Sequence, residues 1–215
     1  RNEDGIVTAI DIFDIATGVW SSPGEMPYQA WDLMAEAANG KIYLIGGISG
    51  IGDDRTALDT VSIYDPSSGA WEITSSLLSP RHGSASAVID GKIYILGGKE
   101  QTGSAGQSTD KVEVLDTSTM EWKSLPPLPI RKVGMKGTAV AGKIYTAGGN
   151  SGSSIYNTID CYDPESGILT QVATLTRPRV SAEIESSGDL LFIAGGMLDL
   201  DMNFTDMLEL IKIGE

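Results

Sequence analysis

GKIYLIGG at residues 40–47 recurs along the chain as GKIYILGG at 91–98, as GKIYTAGG at 142–149 and, more loosely, as GDLLFIAGG at 188–196. The first glycines of the four closing pairs are 51, 51 and 47 residues apart. A fixed period of about 50 residues is typical of stacked copies of one structural unit. The pairs that carry the period are Gly46 and Gly47, Gly97 and Gly98, Gly148 and Gly149, and Gly195 and Gly196.

Two further markers keep the same register. The positions 26 residues before each first glycine are Trp20, Trp71, Trp122 and Leu169. The positions 33 residues before are Phe13, Tyr64, Leu115 and Tyr162, and an aspartate follows each of them. We interpret these residues as structural: the aromatic rings bury area between neighbouring units, and the glycines serve where φ is positive or a side chain would clash.

Each unit is predicted to contain four short strands. In the second complete unit they are about Gly83–Ile89, Lys92–Gly97, Val112–Leu115 and a strand beginning near Trp122, with Asp90-Gly91 as a two-residue hairpin turn. Four-stranded units that repeat radially are the blades of a β-propeller. The sequence therefore predicts an all-β propeller of antiparallel blades.

The order of motifs makes a family resemblance specific. Gly46-Gly47, Tyr64-Asp65-Pro66, Trp71 and Pro80-Arg81 follow one another as in the kelch-repeat family, and the chain resembles that family over nearly its whole length. Three positions depart from the family pattern, namely Leu115 for tyrosine, Leu169 for tryptophan and Ala30 for arginine.

The register also divides residues 1–215, read as a single propeller domain, into blades. Complete blades are expected at about 27–75, 78–126 and 129–173, with partial blades at 1–26 and 177–215, which gives 17 strands. We expect an incomplete segment of a larger ring of five or, by the resemblance, six blades, whose open edges pair with missing segments or with another chain. The alternative is a four-bladed ring in which the N-terminal hairpin completes the blade begun by residues 178–196.

Composition limits the partners and the compartment. A net charge of −14 argues against nucleic acid, and no apolar stretch approaches the 18 residues of a membrane span. Cys161 is the single cysteine and is expected to be a small buried hydrophobe. The lack of an internal disulfide favours a reducing compartment such as the cytoplasm only slightly, and a secreted location is compatible with it.

Residues for catalysis are sparse. His82 is the only histidine, which argues against a histidine-rich metal site and against the copper radical oxidases that share the kelch propeller. No nucleophile-elbow pattern accompanies His82. We therefore predict no catalytic residue, no metal and no cofactor, and we do not favour an enzyme.

The resemblance implies that the loops from the second to the third strand, and from the fourth strand to the next blade, converge on one face. The longest of the first kind are 48–58, 99–109, 150–156 and 197–205. Cations and aromatic residues recur in the second kind, and a ring of cations on an acidic molecule attracts anionic groups. The predicted ligand-binding residues are Tyr28, Trp31, Arg81, His82, Arg131, Lys132, Arg177 and Arg179.

These residues favour a protein- or peptide-binding module with a preference for acidic ligands. The alternatives are a part of a kelch-type enzyme that acts on a sugar or a related small metabolite, and a carbohydrate-binding module. The fold by itself does not choose among these functions.

Overall fold

The computed structural model describes residues 7–74, 76–152 and 154–214 of the 215-residue chain. Within these ranges it contains 21 β-strands and one turn of 3-10 helix at Gly52–Asp54. Seventeen strands form the blades and the N-terminal hairpin, and four short strands form an additional sheet in the loops. None of the helical structure in these ranges is long and apolar enough to cross a membrane.

The N-terminal hairpin and the first complete unit contain, in chain order, β1 (Ala9–Asp14), β2 (Val19–Glu25), β3 (Met34–Ala38), β4 (Lys41–Ile45), β5 (Ile48–Ser49), β6 (Thr56–Ala57), β7 (Val61–Asp65) and β8 (Ala70–Ile73). The second unit contains β9 (Ala85–Ile89), β10 (Lys92–Leu96), β11 (Lys99–Thr102), β12 (Ala105–Ser108), β13 (Val112–Asp116) and β14 (Glu121–Leu125). The last two units contain β15 (Lys136–Val140), β16 (Lys143–Ala147), β17 (Thr158–Asp163), β18 (Ile168–Thr174), β19 (Glu183–Ser187), β20 (Leu190–Ala194) and β21 (Leu208–Lys212).

Three sheets are four-stranded antiparallel blades, with the strand orders β3-β4-β7-β8, β9-β10-β13-β14 and β15-β16-β17-β18. The last sheet has three strands, β19-β20-β21, and β1 pairs with β2 alone. The prediction of an all-β, kelch-type propeller is confirmed. The four-bladed alternative is not observed, because β20 pairs with β21 and the described residues of β1 and β2 form a sheet of their own. The pairing of open blade edges with another segment stays a prediction.

The first strands of successive blades lie side by side around the propeller axis. They line a channel of about 530 Å³ that contains Glu36, Lys136, Glu183 and Glu185. Burial raises the pKa of Glu36, and the two other glutamates raise it further, whereas the Ser86 hydroxyl and Lys136 lower it.

The hydrophobic core consists of three layers, one at each junction between blades. The first layer joins Tyr43 and Val61 of the first blade to Ile93 and Leu115 of the second, and Trp122 packs against it. Equivalent layers join the second blade to the third and the third blade to the fourth. Each unit therefore buries its apolar faces only by contact with its neighbours, as repeat proteins do.

The aromatic pair of the N-terminal hairpin lacks this burial. Phe13 and Trp20 contact each other with ring centroids 5.0 Å apart, as Tyr64 and Trp71 do at 4.9 Å. Tyr64 is buried, whereas Phe13 and Trp20 are exposed. The exposed pair occupies the positions that face a neighbouring blade in the other units.

The first three glycine pairs lie where the backbone of the next blade approaches closely. Gly97 has φ +61°, and a Cβ atom at this position would lie 2.6 Å from the carbonyl oxygen of Lys132 in the following blade. The N–H of Gly98 donates to the same oxygen at 2.7 Å. A larger residue would lose both the backbone conformation and the junction.

The aspartates that follow the third-strand register position cap the turns to the fourth strands. Asp116 Oδ1 accepts hydrogen bonds from the Ser118 hydroxyl at 2.6 Å and from the Ser118 N–H at 3.0 Å. Asp65 makes the same two bonds with Ser67. Because these donors stabilise the ionised carboxylate, they lower the pKa of both aspartates.

Candidate ligand-binding face

A backbone ladder joins the loops that lead into the four blades. The carbonyl of Asp32 accepts the N–H of Gly83 at 3.2 Å, that of Gly83 accepts the N–H of Gly134 at 2.7 Å, and that of Gly134 accepts the N–H of Ser181 at 2.7 Å. All four residues have φ between +53° and +69°. This left-handed conformation turns each loop so that its donor and acceptor point to opposite neighbours.

The residues just before the ladder pair with the residues just after the glycine pairs. The pairs are Trp31 with Ile48, His82 with Lys99, Val133 with Asn150, and Val180 with Met197. The two kinds of loop expected to converge are therefore joined by main-chain bonds at the same face.

These loops enclose a cleft of about 730 Å³. Its charged lining residues are Asp32, Lys99 and Arg131. Its remaining lining residues are Gly106, Gln107, Ser108, Ile130, Val133, Gly134, Asn150, Ser151, Gly152, Val180, Ser181, Met197 and Leu200. Lys99 and Asp32 were not among the residues predicted from sequence, although both occupy fixed repeat positions. Lys99 directly follows a glycine pair, and Asp32 lies two residues after Ala30, the position of the family's arginine.

A sheet formed by two loops stands beside this cleft. Its strand order is β12-β11-β6-β5, so the loops 48–58 and 99–109, predicted without strands, pair with each other through Thr56 and Thr102. A second cleft of about 430 Å³ lies along it and shares Gly106, Gln107, Ser108 and Arg131 with the first.

Three of the predicted residues are exposed at the surface: Trp31, Arg131 and Arg177. Only Arg131 lines the cleft, and its Nε atom lies 3.8 Å from Asp110 Oδ2, a loose ion pair in solvent. Trp31 is 42% exposed and lies with its ring centroid 6.3 Å from that of His82.

His82 is buried and connects two loops. Its Nδ1 atom lies 2.7 Å from Asp32 Oδ2, and its Nε2 atom lies 3.4 Å from Gln101 Oε1. Both ring nitrogens are thus directed at side chains of the protein. The position of His82 favours a role in fixing Asp32 and β11 at the rim of the cleft.

The structure places Arg81, Lys132 and Arg179 inside the blades rather than on the exposed face. Arg81 Nη2 lies 3.0 Å from Glu113 Oε1, and Lys132 Nζ lies 2.6 Å from Asp160 Oδ2. Arg179 pairs with Glu209 in the same way. Burial lowers the pKa of Arg81, an effect that Glu113 opposes. Because all three cations are buried and neutralised, this geometry does not favour their predicted contact with a ligand.

The first blade lacks the buried ion pair of the other blades, because other residues occupy both of its positions. The aligned positions of the third strands are Ser62, Glu113, Asp160 and Glu209, by their registers with the second strands. Ala30 takes the place of the cation and the buried Ser62 takes the place of the carboxylate. Tyr28, another predicted site residue, directs its hydroxyl into the interior here, and burial raises its pKa while the Ser62 hydroxyl lowers it.

Potential metal ligands do not cluster in the part of the chain that the structure describes. No group of three or more histidine, cysteine, aspartate or glutamate side chains is arranged there to hold a metal ion. The arrangement at the loop face is instead one of hydrogen-bonding backbone, two cations and apolar side chains.

The family model of the Kelch motif matches residues 35–78, 80–129 and 131–176. Among curated proteins, the chain is 29% identical over 179 residues to Kelch repeat and BTB domain-containing protein 1 of Camelpox virus, which covers 81% of this chain and 30% of that protein. It is 26% identical to Kelch-like protein 35 of Mus musculus, with 86% and 30% covered, and 29% identical to Alpha-scruin of Limulus polyphemus, with 94% and 22% covered.

A solved structure of YjhT superposes with a TM-score of 0.73 at 18% identity and covers 83% of this chain and 63% of that one. At this identity the likeness concerns the fold alone. The chain spans about 30% of the length of the first two relatives named above.

Proposed function

The chain belongs to the kelch-repeat family, and from this premise we propose that it is a protein- or peptide-binding module whose ligand occupies the cleft of the loop face. One of the relatives is named for kelch repeats together with a BTB domain. A propeller segment in such a protein supplies a rigid face on which loops are displayed.

The observation that carries the proposal is the charge of the cleft. The molecule has a net charge of −14, yet the charged residues of the cleft are two cations and one aspartate that is bonded to His82. Within residues 7–74, 76–152 and 154–214 no ion pair involves Lys99, and the pair of Arg131 is loose. Such a cleft attracts a ligand that carries a carboxylate.

The apolar lining supports a peptide rather than a small anion. Ile130, Val133, Val180, Met197 and Leu200 lie in the same cleft as the two cations. A cleft of about 730 Å³ accommodates several side chains and provides both apolar contact and charge. An acidic peptide with one or two apolar residues fits this combination.

The test is selection of a phage-displayed library of random 12-residue peptides on the immobilised chain. We expect enrichment of peptides that contain aspartate or glutamate beside an apolar residue. Binding of a synthesised, fluorescently labelled peptide, measured by anisotropy, is expected to weaken with added salt because exposed charges are screened. Lys99→Ala with Arg131→Ala is expected to weaken it about tenfold, since each exposed charge contact contributes up to about 1 kcal/mol.

The matched control is Lys123→Ala, which removes an exposed lysine from β14. It changes the net charge in the same direction at a distance from the cleft. If the control weakens binding as much as the two cleft substitutions do, the effect is one of overall charge. A library that yields no enriched peptide contradicts the proposal.

A second candidate, carbohydrate binding, is favoured by Trp31, whose exposed ring offers a stacking surface at the loop face. A glycan array with the wild-type chain and with Trp31→Ala tests it. Binding of a glycan that is lost in Trp31→Ala and insensitive to salt favours this candidate over the peptide.

A further inference from the structure

The strand β12 has an open edge at the cleft. It pairs with β11 on one side, through Lys99 with Ser108, Glu100 with Gln107, Gln101 with Gly106 and Thr102 with Ala105. It is the last strand of its sheet in the order β12-β11-β6-β5. Gly106, Gln107 and Ser108 line both clefts of the face.

The hydrogen-bond pattern defines which backbone groups point to this edge. Lys99 exchanges both of its main-chain bonds with His82, at 2.8 and 3.1 Å, and so turns its N–H and C=O away from β12. In an antiparallel pair, bonded and non-bonded residue pairs alternate. The pair Lys99–Ser108 is therefore non-bonded, as is Gln101–Gly106. The N–H and C=O of Gly106 and Ser108 consequently point outward.

The edge of β12 carries neither of the residue types that commonly protect an open strand. Proteins commonly protect such edges with lysine, proline or a covering segment. The four residues of β12, Ala105–Ser108, include neither lysine nor proline. Among the described residues, no hydrogen bond joins the outward backbone groups of Gly106 and Ser108 to another part of the chain. These groups are therefore available to a further strand.

We infer that an extended segment of a partner protein, carrying a carboxylate, adds to β12 as a fifth strand of the loop sheet. The inference rests on the proposed function and specifies how the peptide binds. Main-chain bonds to Gly106 and Ser108 provide affinity without regard to sequence, as in other cases of strand addition. The carboxylate provides selectivity through Arg131, which lines both clefts beside this edge.

Charge selects the acidic partner. Lys111, on the side of the smaller cleft, is already paired with Glu100 at 2.7 Å. Asp110 holds Arg131 only loosely, at 3.8 Å. On the side of the larger cleft, Lys99 and Arg131 face one aspartate, Asp32, which His82 binds. Among the described residues, a carboxylate on the added strand therefore meets Lys99, which has no ion pair, and Arg131, whose ion pair with Asp110 is loose.

The first test leaves the protein unchanged. A peptide recovered from the random 12-residue phage library is synthesised with single N-methyl groups along its backbone. Because successive N–H groups of a strand point to opposite sides, we expect affinity to fall by about fivefold at alternate positions and to change little at the positions between them. Losses without alternation overturn the inference.

The second test changes the edge. Ser108→Pro removes an outward N–H and leaves the bonds between β11 and β12 in place, so we expect it to weaken peptide binding by about fivefold. The matched control Ser108→Ala keeps the N–H and is expected to bind as the wild type does. A measurement on the wild type does not depend on whether the proline variant folds. In amide exchange followed by NMR, added peptide should protect the amides of Gly106 and Ser108.

The outcomes separate the two proposals. If the library yields no peptide, the proposed function fails and the inference fails with it. If peptides bind and depend on Arg131, but N-methylation shows no alternation and the amides of Gly106 and Ser108 remain unprotected, the proposed function stands and strand addition is overturned.

Discussion

Arg81 and Glu113 form an ion pair in the interior of the second blade, with their charged atoms 3.0 Å apart and their side chains 0% and 2% exposed. Glu113 also accepts the backbone N–H of Leu78 at 3.0 Å, and Arg81 donates to the carbonyl of Lys111 at 3.2 Å. The pair thus ties the loop that enters the blade to its third strand. The loss of one partner would leave the other charge buried and uncompensated.

Glu113→Ala is expected to lower the free energy of unfolding by about 3–5 kcal/mol, because a buried guanidinium loses its counter-ion. Arg81→Met combined with Glu113→Leu is expected to cost much less, since neither charge remains. Urea unfolding followed by tryptophan fluorescence measures both. The control is Glu121→Ala, at an exposed position on β14. Equal losses for the two alanine variants would contradict a structural role for the pair.

Gly97 and Gly195 provide a matched comparison at one repeat position. Both have φ near +60°, so alanine carries a similar backbone cost of about 1–2 kcal/mol at each. A Cβ atom at Gly97 would lie 2.6 Å from the Lys132 carbonyl oxygen, whereas at Gly195 the nearest atom is the Thr205 carbonyl oxygen at 3.6 Å. We expect Gly97→Ala to be more destabilising than Gly195→Ala by about 2 kcal/mol, measured by urea unfolding. Equal effects would show that the blade junction adjusts without cost.

Glu36, in the channel, is expected to make the stability of the protein depend on pH. Burial and the nearby Glu185 and Glu183 raise its pKa above the ordinary 4.5, in spite of the Ser86 hydroxyl and Lys136. Ionised Glu36 therefore opposes folding at neutral pH, and this opposition disappears as the pH falls through the raised pKa. Glu36→Gln is expected to be more stable than the wild type at pH 8 and to lose that advantage near pH 4.

Unfolding in urea at pH 8, 6 and 4 measures this difference. The control is Glu72→Gln, at an exposed position on β8, which is expected to show no such trend. A Glu36→Gln variant that gains no stability at pH 8 would show that the channel solvates the carboxylate adequately.

Asp116 is expected to affect the pH dependence of stability in the opposite sense to Glu36. Hydrogen bonds from the Ser118 hydroxyl and N–H lower its pKa below the ordinary 3.8. Its contribution to stability is therefore present above pH 3.8 and disappears as the pH falls through the lowered pKa. Asp116→Ala is expected to be less stable than the wild type at pH 7, with the difference narrowing below pH 3.8. Ser118→Ala should show a smaller loss with the same trend, and thermal unfolding followed by circular dichroism measures both.

The repeat markers predicted the fold because they report local and junction geometry directly. In the second blade, the run before the glycine pair alternates between the two adjoining layers, with Ile93 and Ile95 in one and Tyr94 and Leu96 in the other. The pair itself lies at the contact with the next blade. The loop sheet could not be predicted in this way. Its strands β5 and β6 are two residues long, and the pairing of Thr56 with Thr102 joins loops of different units.

The burial of three candidate cations could not be predicted from the period. The repeat aligned Arg81, Lys132 and Arg179 at one end of the blades but contained no information on their depth. Glu113 and Asp160 lie two residues before Leu115 and Tyr162, so the repeat register aligns them, but it does not show that they face Arg81 and Lys132 in the interior. Lys99 could have been found from the sequence, since it directly follows Gly98.

The hydrogen bonds that join Asp32, Gly83, Gly134 and Ser181 use only backbone atoms, so they do not involve the side chains that line the cleft around them. Evolution, or a protein engineer, can therefore exchange the side chains around the cleft while these backbone hydrogen bonds keep the loops in place. Diversification of specificity and preservation of the architecture become separate problems in such a molecule.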